Sequence, residues 1–266
     1  MPGEYDADQW AMVDEGWGRL AVDFATLFEP NNCREYVAMH HHLGVGPGVR
    51  VLDMACGSGF ALELAGVIGA ECAGIDASPR LVAVARDRSP QADVRVGDMQ
   101  ALPWDAGAFD VVTSFRGIWG TTPHALDEAR RVLVPGGRLG LTVWGHLKVS
   151  PGGWALGPYS LASEPDVRHQ ADMNALGKPG VGESVLAAQG FVDVERVTIP
   201  MAWEFPDEQT YARAIISAGP AFEAIKAVGE DEFLRHCAAE AAKHRRDGLP
   251  IRAEIAVVGF VARTPA

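Results

Sequence analysis

The feature that most constrains the fold is an apolar run that leads into a glycine-rich turn and then into a helical pattern. Residues 51–59 read Val-Leu-Asp-Met-Ala-Cys-Gly-Ser-Gly. A buried strand followed by such a turn is typical of the first βα unit of an open parallel sheet, where ligands lie across the carboxyl ends of the strands. Glycine is needed where the backbone passes a ligand without a Cβ, and the amides at the helix N-terminus can bind a carboxylate.

The rest of the chain continues this alternation, which predicts a doubly wound, Rossmann-like α/β fold. Its sheet is expected to be seven-stranded and mostly parallel, with an antiparallel edge strand formed where the last two strands pair. The predicted strands are Val49–Met54, Glu71–Asp76, Asp93–Gly97, Phe109–Phe115, Arg138–Val143, Phe191–Ile199 and Glu254–Arg263. The predicted helices are Gly59–Ile68, Pro79–Arg88, Pro123–Leu133, Gly182–Gln189 and two or three more within residues 207–246.

We expect one domain over residues 1–266, with four parts. Residues 1–46 form an N-terminal helical cover, whose apolar stripe we interpret first as core contact, and residues 47–146 form the ligand-binding core. Residues 147–181 are rich in Gly, Pro and Ser, which predicts a lid or insertion. Residues 182–266 complete the sheet and supply helices on the substrate side.

Composition narrows the functional classes. The chain has 266 residues, 48% of them hydrophobic, and a formal net charge of −12. A protein that binds phosphates along a nucleic acid needs a basic face, so we expect no nucleic-acid partner. No run approaches the roughly 20 apolar residues of a membrane helix, and the acidic N-terminus does not resemble a secretory signal. We therefore expect a cytoplasmic protein without a membrane partner, and leave a homodimer open.

Three further patterns follow predicted strands at the same edge of the sheet. Asp76 and Ala77 end the second strand, where a carboxylate can accept hydrogen bonds from both hydroxyls of a ribose. Asp98 and Met99 follow the third strand, where they can bind an amine and pack on an aromatic ring. Ser114 ends the fourth strand, beside the expected reacting centre.

Taken in order, these motifs resemble the class I S-adenosylmethionine-dependent methyltransferases. The resemblance is closest to the branch that contains ubiquinone- and menaquinone-biosynthesis-like enzymes and many natural-product methyltransferases. It covers residues 45–145 and rests on Leu52–Gly59, Gly74–Asp76, Gly97–Met99, Phe109–Val112 and Leu133–Gly137.

The resemblance implies S-adenosylmethionine as the cofactor and assigns its ligands. Asp53, Gly57 and Gly59 would lie at the methionine end, Asp76 at the ribose, and Asp98 with Met99 at the adenine. Ala55 departs from the family, which usually has the first glycine of its loop there; alanine adds one methyl group, and we keep Ala55 in the predicted site.

A nicotinamide site is the weaker interpretation of the glycine turn. Its fingerprint requires a third glycine three residues after the second, and Leu62 stands there. Three functions stay open: methyl transfer to a hydroxyl or carbon of a small molecule such as a secondary metabolite, a non-methylating reaction such as cyclisation, and non-catalytic ligand binding.

Methyl transfer needs alignment above all, and a general base only for a hydroxyl that must lose its proton. We select His146, three residues beyond the fifth strand, as the candidate base, with His124 as the second candidate. The consecutive histidines 40–42 cannot all chelate one ion from a regular helix, so we propose no metal.

Aromatic and polar residues on the loops at this sheet edge suit a partly apolar pocket for a planar acceptor, although they also suit packing beneath a lid. The predicted substrate-binding residues are Arg116, Trp119, Trp144, Trp154 and Tyr159.

Overall fold

The structure is a computed structural model that describes residues 13–118, 122, 124–162 and 175–266. Its sheet has seven strands in the order β3-β2-β1-β4-β5-β7-β6, and the predicted doubly wound α/β architecture is confirmed. The strands are β1 Arg50–Met54, β2 Glu71–Asp76, β3 Asp93–Val96, β4 Phe109–Phe115, β5 Leu133–Trp144, β6 Val192–Phe205 and β7 Ile251–Arg263.

Strands β1 to β5 run parallel, as the alternation of strands and helices along the sequence predicts. β1 lies between β2 and β4, with Asp53 in register with Gly74 on one side and Thr113 on the other. The carboxyl ends of β1, β2 and β4 therefore meet at one edge of the sheet.

The helices follow the predicted positions within a few residues. An N-terminal segment of short helical turns covers residues 14–32 and leads into α1. The longer helices are α1 Cys33–His42, α2 Phe60–Val67, α3 Pro79–Arg88, α4 Ala125–Val132, α5 Val181–Ala188, α6 Glu208–Ile216, α7 Pro220–Val228 and α8 Glu230–Ala242. None of the described helices is long and apolar enough to cross a membrane.

Helix α3 begins where its sequence predicts. Ser78 is its N-cap, with the hydroxyl accepting from the Leu81 amide at 3.2 Å, and Pro79 occupies the first helical position. Since Ser78 caps the helix, the carboxylate of Asp76 is available for other contacts at the strand end.

The two C-terminal strands pair antiparallel at the sheet edge, as predicted, but both are longer than expected. β6 extends to Phe205 and β7 begins at Ile251, and their register runs from Val192–Arg263 to Phe205–Ile251. The antiparallel strand β7 lies between β5 and β6, so the outermost strand β6 runs in the same direction as the parallel set.

The described part of the predicted lid packs on the C-terminal side of the fold. Residues 147–149 and 153–161 form short 3₁₀ turns. The Tyr159 hydroxyl donates to the Ile215 carbonyl at 3.1 Å, and the Tyr211 hydroxyl donates to the Ala155 carbonyl at 2.9 Å. These contacts place the segment against α6 and β7, while residues 163–174 lie outside the described part of the chain.

Gly59, which precedes α2, is expected to be intolerant of any side chain. Its φ is +80°, and an added Cβ would lie 2.7 Å from the Cβ and 2.9 Å from the Cα of Ala85 on α3. Gly59→Ala should therefore lower the free energy of unfolding by about 2–4 kcal/mol, from overpacking together with left-handed strain. Urea unfolding would measure the change.

Gly66 provides the control in the same region. It is exposed within α2, and an added Cβ would meet nothing within 4 Å. Gly66→Ala should raise the free energy of unfolding by about 0.5–1 kcal/mol. Equal effects of the two substitutions would contradict the proposed contact between Gly59 and α3.

Candidate active site

A cavity of about 280 Å³ lies at the carboxyl ends of β1, β2 and β4. The strand ends form its floor, the N-terminal segment and α1 form one wall, and the start of α7 forms another. Its lining includes eight residues that follow or end the strands: Asp53, Ala55, Gly57, Asp76, Ala77, Asp98, Met99 and Arg116. Of the residues predicted to bind the cofactor, Gly59 and Ser114 are not in this lining.

The glycine loop folds tightly against β2. The Cys56 amide donates to the Ile75 carbonyl at 3.0 Å, and the Gly57 amide donates to Asp76 Oδ2 at 2.8 Å. Ala55 has a φ of +58° and Gly57 one of +56°. Alanine at the first position thus adopts the left-handed conformation that glycine takes without strain, at a cost of about 1–2 kcal/mol.

Asp76 is buried and links the loop to the end of β2. Besides the Gly57 contact, its Oδ1 accepts from the Ser78 amide at 2.9 Å. Burial raises the pKa of this carboxyl, and backbone hydrogen bonds from Ser78, Gly57 and Ala77 partly offset that effect. Because each carboxylate oxygen has two lone pairs, the group can also accept a hydrogen bond from a ligand in the cavity.

Asp53 is buried on β1 and shares one hydrogen bond, from the Thr113 hydroxyl to Oδ1 at 2.7 Å. Burial raises the pKa of this carboxyl to about 8, and the neighbouring Glu29 and Asp76 add to the increase. A cation in the cavity would oppose this increase, because it favours the ionised form of the carboxyl.

Asp98 and Met99 lie side by side beyond β3 and line the cavity. Asp98 Oδ1 accepts from the Gln100 amide at 2.7 Å, which orients the carboxylate within the turn. The half-buried Met99 side chain packs on the core under β4. The pair thus combines an acceptor with an apolar surface.

The two predicted cofactor residues outside the lining have structural contacts instead. Ser114 is fully buried, and its hydroxyl donates to the Met54 carbonyl at 2.8 Å. Gly59 allows α2 and α3 to approach each other, as described above. Both residues therefore shape the loop without reaching the cavity.

The N-terminal segment contributes cavity residues that sequence reasoning did not select. Glu29, Asn32 and Tyr36 are buried and line the cavity, as do Phe24 and Phe28. The signal was present, because residues 29, 32 and 36 recur at helical spacing. The apolar stripe of this segment was interpreted first as core contact. Trp17 and Phe24 pack in the core and also line the cavity.

Arg116 is the cation of the cavity wall. It has a φ of +58°, and its guanidinium pairs with Glu35 at 2.9 Å and lies 4.6 Å from the centre of the Trp144 ring. The side chain of Glu35 is 0% exposed and that of Arg116 is 11% exposed. Arg116 thus connects α1 to the end of β4.

The other predicted substrate residues lie elsewhere. Trp144 is buried against Trp203, outside the cavity lining. Trp154 stacks on His244 with ring centres 4.0 Å apart, and Tyr159 bonds to α6. Their rings fill the space between the 3₁₀ turns and the C-terminal helices. Trp119 lies outside the described residues.

The two histidines that the sequence predicted as bases also lie outside the cavity lining. His146 is exposed beyond β5, and the side chain of His124 is 61% exposed; neither lines the cavity. The strand end turns the chain away at Gly145, whose amide donates to Ala256 of β7. Their role as bases stays a prediction to which this geometry lends no support.

The consecutive histidines 40–42 form the last turn of α1. His40 is buried beside the Phe115 ring, and burial lowers its pKa to about 4. Within the described ranges, no cluster of three His, Cys, Asp or Glu side chains is placed to hold a metal ion.

A mostly parallel sheet with a glycine loop, an acid at the carboxyl end of each of its first three strands and an apolar surface beside them defines a nucleoside-binding α/β protein. The set of acceptors also fits S-adenosylmethionine. This cofactor carries an ammonium, a sulfonium, a ribose diol and an adenine amine, and the cavity presents Asp53, Asp76 and Asp98 to such groups. When bound, it supplies a methyl group already activated by the sulfonium.

Comparison with known proteins agrees with this assignment. A family described as methyltransferase domain matches residues 52–141. The ubiquinone/menaquinone biosynthesis C-methyltransferase UbiE of Cereibacter sphaeroides is 32% identical over 193 residues, which cover 68% of this chain and 70% of that protein. The demethylmenaquinone methyltransferase of Renibacterium salmoninarum is 31% identical over 147 residues, and the match spans 54% of this chain and 62% of that enzyme.

Among solved structures, phosphoethanolamine N-methyltransferase 2 of Haemonchus contortus in complex with S-adenosyl-L-methionine superposes with a TM-score of 0.62. It is 18% identical, and the match covers 99% of this chain and 61% of that one, so it supports the fold alone. The chain belongs to the class I S-adenosylmethionine-dependent methyltransferases.

Proposed function

We propose that the protein transfers the methyl group of S-adenosylmethionine to a hydroxyl or a carbon of a small-molecule acceptor such as a secondary metabolite. One observation carries the proposal: the cavity that holds the three acids is also lined by aromatic rings. Trp17, Phe24 and Phe28 come from the N-terminal segment, Phe115 from β4 and Phe222 from α7. Such a surface suits a flat, largely apolar molecule.

The relatives support a carbon as an acceptor atom, since one is named a C-methyltransferase of ubiquinone and menaquinone biosynthesis. The net charge of −12 supports a small molecule over a nucleic acid, whose phosphates the protein would repel. The proposal places the reaction in the cytoplasm and requires neither a membrane nor a second subunit, although a homodimer is compatible with it.

The chain's own residues would act mainly by binding and alignment. The acids hold the cofactor, the aromatic wall orients the acceptor, and the N-terminal segment excludes water from the cavity. Holding an activated carbon in line with its nucleophile supplies most of the rate enhancement that such a transfer needs.

Incubation with methyl-labelled cofactor and a panel of aromatic and polyketide acceptors tests the proposal. Mass spectrometry should find the label in the acceptor product. Acceptor conversion without the label would indicate a non-methylating enzyme of the same fold, and cofactor binding without any conversion would indicate a binding protein. Either result would overturn the proposal.

The histidine at position 146 is expected to be dispensable for this reaction. Because its side chain is exposed and outside the cavity lining, His146→Ala should change turnover by no more than about twofold. Initial rates at saturating cofactor measure the effect. A loss of about 10²–10⁴-fold would instead establish His146 as the general base, and His124 would be the next residue to test.

A further inference from the structure

Glu29 is a buried carboxylate that the N-terminal segment places directly over the glycine loop. The residue is 2% exposed, and it lines the cavity. Its Oε1 lies 3.2 Å from the position that a Cβ on Gly57 would occupy. A side chain at Gly57 would therefore crowd this carboxylate.

The Glu29 carboxylate is held from the protein side by three donors. Its Oε2 accepts from the Ser58 hydroxyl and from Arg88 Nη1, the latter at 2.6 Å. The Phe60 amide, at the N-terminus of α2, also donates to it. Arg88 in turn donates to the Ser58 carbonyl, which completes a rigid cluster.

The position of Glu29 determines which end group of the cofactor can bind beside the start of α2. The sequence predicted that the amides at the start of α2 would bind the carboxylate of the methionine moiety. Glu29 already occupies that helix terminus, and a second carboxylate beside it would be repelled. The ammonium group of the same moiety has the complementary charge.

The electrostatics of the cluster favour a cation there. Glu29 and Asp53 line the same cavity, and the charge of Glu29 raises the pKa of Asp53. Burial raises the pKa of Glu29 itself to about 7, in spite of Arg88. Other titratable groups that act on this pair are Glu35, Tyr36 and Asp76. A cation between the two carboxyls would favour the ionised form of both.

We propose that Glu29 is a cofactor-binding residue that, together with Asp53, receives the α-ammonium group of S-adenosylmethionine. The inference rests on the proposed function, since it requires this cofactor in the cavity. It gives the N-terminal segment a direct part in recognition, beyond that of covering the site.

Glu29→Gln tests the proposal with three ligands that differ in one end group. S-adenosylmethionine and S-adenosylhomocysteine both carry the ammonium, whereas 5′-methylthioadenosine has the same nucleoside and thioether without it. Glutamine keeps an oxygen that accepts from Ser58 and Arg88 but loses the charge. Calorimetry should show the dissociation constants of the first two rising by about tenfold or more, with that of 5′-methylthioadenosine unchanged.

Glu240→Gln is the matched control. Glu240 is a partly buried acid of α8 that pairs with Lys243 away from the cavity lining, so its substitution should leave the affinities of the three ligands unchanged. Thermal unfolding of both variants confirms that they fold. An equal loss for all three ligands in Glu29→Gln would show a purely structural role, and unchanged affinities would show no role; both overturn the inference. Absence of cofactor binding by the unaltered protein would instead refute the proposed function.

Discussion

Asp76→Ala is expected to weaken the binding of S-adenosylmethionine, S-adenosylhomocysteine and 5′-methylthioadenosine alike, each by more than tenfold. The substitution removes the acceptor at the ribose position, and a hydrogen bond to a charged acceptor contributes about 1.5–3 kcal/mol. It also leaves the Gly57 and Ser78 amides without their partner, so the loop that shapes the cavity loosens. Calorimetry with the three ligands measures the change.

Asp105→Ala makes the same substitution at an exposed position outside the cavity and should leave all three affinities unchanged. The pattern also distinguishes the two acidic positions from each other. Asp76→Ala should lower the affinity for all three ligands, whereas Glu29→Gln should lower it only for the two that carry an ammonium group. Retained affinity in Asp76→Ala would refute the assignment of Asp76 to the ribose.

The second large effect is expected on stability. Arg116→Met leaves the carboxylate of Glu35, which is 0% exposed, without its ion-pair partner. Removing one partner of a buried pair costs about 3–5 kcal/mol, because the remaining charge is uncompensated. Urea unfolding should show a loss of this size in the free energy of unfolding, with an unchanged m value.

Two further variants test whether the loss of stability comes from the uncompensated charge of Glu35. Glu35→Gln combined with Arg116→Met removes the stranded charge and should recover much of the loss. Arg213→Met breaks the pair with Asp23, in which the arginine side chain is 60% exposed, and should cost only about 0–1 kcal/mol. Similar losses in Arg116→Met and Arg213→Met would contradict the buried character of the first pair.

The sequence predicted the parts of the site that the strand pattern dictates. Asp53, Asp76 and Asp98 each follow or end a parallel strand, and the carboxyl ends of such strands converge by geometry alone. The apolar run and the glycines that follow it placed the loop between β1 and α2. These predictions needed only local sequence and the rule for parallel sheets.

The predictions that did not hold concern residues whose positions depend on the path of the chain beyond the end of a strand. His146 follows β5 by two residues, yet the pairing of Gly145 with β7 directs the chain toward the C-terminal helices. Trp154 and Tyr159 follow the same path. Conversely, the contacts of Glu29 with Ser58 and Arg88 join residues far apart in sequence, which helical periodicity cannot pair.

The placement of β7 between β5 and β6 has a consequence for the order in which the sheet is completed during synthesis. The five parallel strands leave the ribosome first and can assemble into the nucleoside-binding half. β6 follows with 14 residues, but its pairing partner emerges only after α6, α7 and α8. Until then β5 and β6 both present unpaired edges, which are templates for intermolecular association. The nascent chain therefore exposes these edges to aggregation from the translation of Phe205 until β7 is complete at Arg263.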